Sequence, residues 1–418
     1  MSLASERKIS FLGDSSQLRL SAGLRTLTIG TKCGKGRHGI SAGDMGMSNL
    51  SWQSNIVEMP VVTVILGAGA SRDVSYATGE TDSANDLGPM MPSPLDSDFF
   101  DLLQRFEAQT QDGAIRETMR RILDRVFEWR GEPIWQSMEK MFYNLHVSAV
   151  LEHRLIAPGG GDLARELVND FLLSIRALLN EAHGTRACNR HWHLLQDLYA
   201  RDAVVTFNYD FVAEKALAQF HARHNGEAFG DWFYGFSDRI NEAPNDVPTL
   251  YKLHGSLNWE LEEDSHGEVQ TTRKKWPKAW SEFAKELEYL PKESGGYHAD
   301  GCQRPPILLP YWDKRVEKGV WLKIWKAAAQ QLLRTHSLIV WGYSLPTTDL
   351  KARELLRLAC LSSDAKLTKV AVIDTSRDTR DRWRSMFVKK QFWGFSDFEE
   401  FQHFLSRQHC NLGPFRTF

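Results

Sequence analysis

The stretch 60-PVVTVILGAGAS-71 carries an unbroken β-favouring run, Val61 to Leu66, straight into a Gly-Ala-Gly turn. Continuous rather than alternating apolar residues fit a strand buried on both faces, as in a parallel sheet. Short runs of the same kind recur at 203-AVVTF-207, 249-TLYKL-253, 307-ILLP-310, 337-SLIVW-341 and 369-KVAVI-373. Helical patterns separate several of them, at 211–223, 320–334 and 348–360. Strands alternating with helices specify an α/β protein with a doubly wound sheet.

Spacing between the runs divides the chain further. The interval from the first run to the second is much longer than one crossover needs. It is filled by patterns with apolar residues three and four apart, at 97–109, 114–130, 134–155 and 162–182. The expected architecture is therefore a mostly parallel, Rossmann-like sheet built from 59–96 and 201–418, with a helical domain inserted over 97–200. Residues 1–58, rich in Ser, Gly and basic side chains, read as a flexible extension. A polar insertion over 260–305, containing Gly295 and Gly296, is expected to be a loop, a lid or a partner surface.

Bulk properties exclude several classes. The chain has 418 residues, of which 42% are hydrophobic and 25% charged, with a net charge of −2. No global field draws it to nucleic acid or to an anionic membrane. Five widely separated cysteines (33, 188, 302, 360 and 410) form no C-x-x-C pair, so neither a zinc site nor a disulfide framework is expected. No apolar run approaches the roughly 20 residues that span a bilayer, and no signal-peptide pattern opens the chain. A cytoplasmic protein is expected. The 14 Trp include Trp129, Trp135, Trp192, Trp276 and Trp280 in the two insertions, where they belong either to a core or to an oligomer interface.

Chemistry-bearing residues cluster just after the apolar runs, where a doubly wound sheet binds its ligands. After the first run, 67-GAGAS-71 offers backbone N–H groups to a pyrophosphate, although any tight strand-to-helix turn looks similar. After the second, 206-TFNYD-210 places Asn208 and Asp210 two apart, on one face of an extended chain. That pair suits ribose hydroxyls or a held water, or else satisfies its own turn. The third run ends in 254-HGS-256, whose histidine is either a proton acceptor or a satisfied structural ring. In 341-WGYSLPTTD-349 a glycine turn and a polar cluster follow the run. Asp374 ends 369-KVAVID-374, as a ribose ligand or as the cap of a following helix.

Taken in order, G-A-G-x-S, T-x-N-x-D, H-G-S, a glycine-serine turn and a late acidic strand end resemble the sirtuins, over about 60–75 and 201–376. The resemblance implies NAD+ as substrate. It implies that Gly67, Ala68, Gly69, Ala70 and Ser71 bind the pyrophosphate and that Asn208 positions the nicotinamide ribose and a water. His254 would be the base, and Gly342, Ser344 and Asp374 would contact the adenosine half. Thr206, Asp210, Gly255 and Ser256 complete the NAD-binding set by their places in the same motifs. The chain departs from protein-deacylating sirtuins in two ways. Only Cys302 and Cys360 stand where a zinc module with two cysteine pairs would follow H-G-S, and 88-GPMMPSPLDSDFF-100 offers Pro92 but no arginine matching G-I-P-D-F-R.

Those departures and the helical insertion resemble the bacterial sirtuin-like NADases of anti-phage defence. They imply an NAD+ hydrolase that releases nicotinamide and ADP-ribose, depletes NAD in an abortive-infection response and uses no zinc. Fold-level analogy adds a homo-oligomer working beside a HerA-type ATPase or another separately encoded sensor. Two other classes stay open: a module that senses NAD or ADP-ribose without consuming it, and an NAD-dependent protein ADP-ribosyltransferase or deacylase.

Overall fold

The computed structural model describes residues 59–72, 91–128, 137–151, 162–184, 188–222, 231–236, 247–257, 259–263, 269–272, 307–308, 316–317, 319–407 and 412–416. All belong to one unit, Val57–Phe418. The extension expected over 1–58 lies outside the described residues, as does most of 260–305, including Cys302, Trp276 and Trp280.

Six strands form one parallel sheet: β1 (Val62–Leu66), β2 (Ala203–Thr206), β3 (Thr249–Lys252), β6 (Ser337–Trp341), β7 (Lys369–Ile373) and β8 (Gln391–Phe395). Their order is β3-β2-β1-β6-β7-β8, and every ladder is parallel. The chain winds outward from β1 in one direction, then returns to β6 and winds the other way. This reversal makes a crevice at the C-terminal ends of β1 and β6, the switch point of a Rossmann-like sheet. β1, β2, β6 and β7 are buried along their whole length, as their unbroken apolar runs require.

Between β1 and β2 lie a short helix α1 (Ala68–Arg72) and then α2 (Phe99–Gln109), α3 (Gly113–Glu128), α4 (Met138–Leu151), α5 (Asp162–His183) and α6 (Asn189–Leu195). Phe99, Phe100, Phe142 and Phe171 pack ring against ring, with the centroids of Phe99 and Phe171 5.3 Å apart, and tie α2, α4 and α5 together. The remaining helices are α7 (Val212–Ala222), α8 (Gly319–Arg334), α9 (Leu350–Leu361), α10 (Arg377–Met386) and α11 (Phe398–Arg407).

Four features differ from expectation. The apolar run at 249–253 is not inside the sheet; β3 is an edge strand. It is buried because α8 and a 3-10 turn at Asp231–Tyr234 cover that edge, with Trp325 Nε1 donating to the Leu253 carbonyl at 3.1 Å. The run at 307–310 adds no strand among its described residues; Ile307 makes one isolated antiparallel bridge to Gly255. The polar stretch after Trp259 contains a two-stranded antiparallel hairpin, β4 (Glu260–Glu263) and β5 (Val269–Thr272). The second edge strand, β8, comes from 391-QFWGF-395, where partial exposure of the edge removes the need for a continuous apolar run. Among the described residues, no helix is long and apolar enough to cross a membrane.

Candidate active site

Two turns meet at the switch point. Gly67 N–H donates to the Trp341 carbonyl at 3.0 Å, Gly69 N–H to the Gly342 carbonyl at 2.9 Å, and Ala70 N–H to the Gly67 carbonyl at 2.9 Å. A Cβ on Gly67 would sit 2.5 Å from Tyr343 Cα, and one on Gly69 2.9 Å from Gly342 Cα. Gly342 has φ +64°, and its Cβ would meet Gly69 Cα at 2.7 Å. The first requirement for these glycines is thus backbone-to-backbone packing of the β1 and β6 turns. The N–H groups of Gly67, Gly69 and Ala70, expected to face a pyrophosphate, are engaged within the protein. Ala68, Gly69 and Ala70 nevertheless line the cavity that opens beside them.

Asn208 and Asp210 leave β2 on one face, as their spacing requires. Both reach Ser71: its hydroxyl donates to Asp210 Oδ2 at 2.9 Å and accepts from Asn208 Nδ2 at 3.3 Å. Asp210 Oδ1 also accepts the Val212 N–H at 3.0 Å, at the start of α7. Below this loop, Lys252 Nζ pairs with Glu214 Oε1 at 2.7 Å and donates to the Asp210 carbonyl. Lys252 and Glu214 are fully buried. Burial pushes the Glu214 carboxyl up, while Lys252 pulls it the other way. The Tyr234 hydroxyl donates to the same Glu214 oxygen at 3.2 Å. An ion pair inside the fold thus supports the loop that carries Asn208.

His254 follows β3 and is buried among Phe207, Tyr209 and Asp349. Its Nε2 lies 2.8 Å from Asp349 Oδ2. Asp349 caps α9, accepting the Ala352 N–H at 3.0 Å through Oδ1, and the Tyr343 hydroxyl stands 3.5 Å from Oδ2. Gly255 takes φ +88°, which turns the chain away just after the ring. Leu345 has φ +54°, a left-handed conformation in a non-glycine residue within the loop that leads to Asp349.

On the far side, the Asp374 carboxyl accepts the Ser376 N–H at 2.8 Å, and the Ser376 hydroxyl, not Asp374, caps α10 by accepting from Thr379. Burial holds the Asp374 carboxyl above the usual range. Arg382 binds the Ser344 carbonyl and so ties α10 to the glycine-serine turn.

These groups surround one cavity of about 580 Å³, within the usual range for small-ligand sites. Nine of the expected residues line it: Ala68, Gly69, Ala70, Asn208, Asp210, His254, Gly342, Ser344 and Asp374. Gly67, Ser71, Thr206, Gly255 and Ser256 do not. Thr206 donates to the Leu66 carbonyl and accepts from Asn208 N–H, which shapes the loop from behind.

Three further contributors carry no local signal in the sequence. Ser93 to Ser97 form a wall pinned by Arg72, which donates to the Ser93 carbonyl at 2.6 Å and pairs with Asp98 at 2.5 Å. Arg190 of α6, paired with Glu399 of α11, lines the opposite end. Asp349 was visible only as a polar residue before a helix; its link to His254, 95 positions earlier, exists only in the fold. Among the described residues no cluster of His, Cys, Asp and Glu could hold a metal ion. Most of the region after H-G-S in which a zinc module would fall lies outside them.

Residues 202–390, from the start of β2 almost to β8, match the SIR2-like domain. No curated protein matches the chain. Solved structures similar to it include a Sir2 protein with an inhibitor, 2′-O-acetyl-ADP-ribose and a deacetylated peptide (13% identity, TM-score 0.34, covering 84% of this chain and 95% of that one). Another is a Sir2 homologue with ADP-ribose (11% identity, TM-score 0.31, 84% and 95%). Residues 202–390 are thus similar to the SIR2-like domain, and the sheet that holds them is Rossmann-like.

Proposed function

We propose that the protein is an NAD+ glycohydrolase, in which water takes the place of an acyl-lysine acceptor. The observation that carries this reading is the convergence of Asn208 and His254, from neighbouring strand ends, on one cavity at the switch point. The SIR2-like match over these residues supports NAD+ as the molecule bound. Asp374, at the β7 end of the cavity, suits the hydroxyls of the adenosine ribose.

The bond to break joins the nicotinamide nitrogen to ribose C1′. Its electron pair leaves with the ring, which departs neutral. A water oxygen bonds to C1′, and one proton must be removed. Asn208 holds the ribose or the water, fixed in place by Ser71. His254 accepts the proton. A well-placed base contributes about 10²–10⁴-fold, or roughly 3–5 kcal/mol of barrier. The products are nicotinamide and ADP-ribose.

Consuming NAD in this way fits an abortive-infection role in anti-phage defence, in the cytoplasm. Control would lie with a homo-oligomer and a separately encoded partner such as a HerA-type ATPase. The test is nicotinamide release by the purified protein, alone and with its genomic neighbour. His254→Ala and Asn208→Ala should each abolish release while leaving the melting temperature near wild type. Normal turnover in both would sink the assignment. Binding of NAD without release in any condition would identify a sensor, and label transferred from NAD to a macromolecule would identify a transferase.

A further inference from the structure

The carboxylate of Asp349 does two jobs on opposite oxygens. Oδ1 caps α9 through the Ala352 N–H, and this fixes the plane of the group. Oδ2 is thereby aimed at His254 Nε2, 2.8 Å away, with Asp349 sealed from water and His254 almost so. Capping alone does not demand a charge, because Asn or Ser caps nearly as well. A buried carboxylate is costly unless an opposite charge meets it. At Nε2 that opposite charge exists once the imidazole has taken a proton. The pair is therefore best balanced in the state that follows proton uptake, which is the state a base must reach during reaction.

From this geometry we infer that Asp349 is a positioning residue: it fixes the His254 ring, holds it as the Nε2–H tautomer, and stabilises the imidazolium that forms on proton uptake. The inference rests on the hydrolase reading for its kinetic consequence, but not for the tautomer. The groups facing the pair are Tyr343 beside Asp349, Phe207, Tyr209 and Asp210 on the loop after β2, and Arg353 and Glu139, whose charges act on Tyr343.

Asp349→Asn separates capping from charge. The amide oxygen stays on the Ala352 N–H, so its NH₂ faces Nε2 and forces the ring proton to Nδ1. The expected result is an unchanged melting temperature and NAD affinity, with kcat down by about 10²-fold or more. What residual rate remains should show its acidic limb at lower pH, because the imidazolium has lost its anionic partner. Asp349→Ser, which caps but cannot reach the ring, should lose kcat in the same way.

The direct readout is ¹⁵N-histidine NMR of the full chain, with the His254 signals assigned by their loss in His254→Gln. Wild type should show an Nε2–H ring, and Asp349→Asn an Nδ1–H ring. An unaltered tautomer in Asp349→Asn would overturn the inference. So would retained kcat, or a fall in kcat that tracks melting temperature with the wild-type pH profile. Absence of nicotinamide release from wild type under every condition would remove the hydrolase reading instead, and the tautomer would still decide the pair.

Discussion

Replacing Lys252 by Met tests the ion pair under the Asn208 loop. Lys252 and Glu214 are fully buried and 2.7 Å apart. Glu214 Oε2 has no hydrogen-bond partner among the described residues. Methionine fills the space of the lysine stem but leaves a buried carboxylate that keeps the Tyr234 hydroxyl and loses its cation. Breaking a buried pair from one side costs about 3–5 kcal/mol, a large share of the roughly 5–15 kcal/mol that holds a domain together. Glu214 can escape part of this cost by taking up a proton, and burial already pushes its carboxyl upward from 4.5. A raised folded value means that the unfolded chain binds fewer protons, so stability is lost as pH rises. The penalty in Lys252→Met should therefore be small near pH 4.5 and grow toward pH 8. Urea unfolding followed by tryptophan fluorescence at both ends of that range measures it. Lys252→Met with Glu214→Gln removes both charges and should recover most of the loss. A penalty below about 1 kcal/mol that does not vary with pH, or a double variant as unstable as the sum of the singles, would refute the reasoning.

Other consequences follow from the same geometry. Gly342→Ala forces a left-handed φ on alanine and drives Cβ into the backbone of the β1 turn, so its melting temperature should fall by several degrees or folding should fail; a wild-type melt would show that the two turns can separate. His191 is buried against Trp341, and burial lowers its ring to about 3. The unfolded ring binds a proton below about 6.5, so each unit of pH from there toward 3 should remove up to about 1.4 kcal/mol. His191→Phe should flatten that slope in urea unfolding curves. Asp374→Asn should weaken NAD binding by roughly tenfold with kcat little changed, read as KM against kcat; an effect on kcat alone would place Asp374 elsewhere in the reaction.

The sheet was legible because five of its strands are buried on one or both faces and need unbroken apolar runs. β8 was not, because its edge position leaves 391-QFWGF-395 partly exposed and mixed in character. The position of β3 at an edge was hidden for the opposite reason: Trp325 and the turn around Trp232 bury it as deeply as a central strand. Strand-end residues such as Asn208, His254 and Asp374 could be read from their places after the runs. The glycines were read for openness to a ligand, whereas Gly67 and Gly342 answer first to each other. Arg72, Ser93 and Asp349 act through contacts that no local pattern encodes.

The reversal of winding at β1 has a mechanical meaning. Asn208 and His254 belong to the half wound outward from β1 through β2 and β3. Ser344 and Asp374 belong to the half wound outward through β6, β7 and β8. The seam between the halves is the β1–β6 ladder, reinforced by the glycine turns and by the bond between Asp349 and His254. A molecule long enough to touch both His254 and Asp374 stitches this seam from above. Its occupancy would resist shear between the halves, and on the proposed hydrolase reading its cleavage would release the clamp.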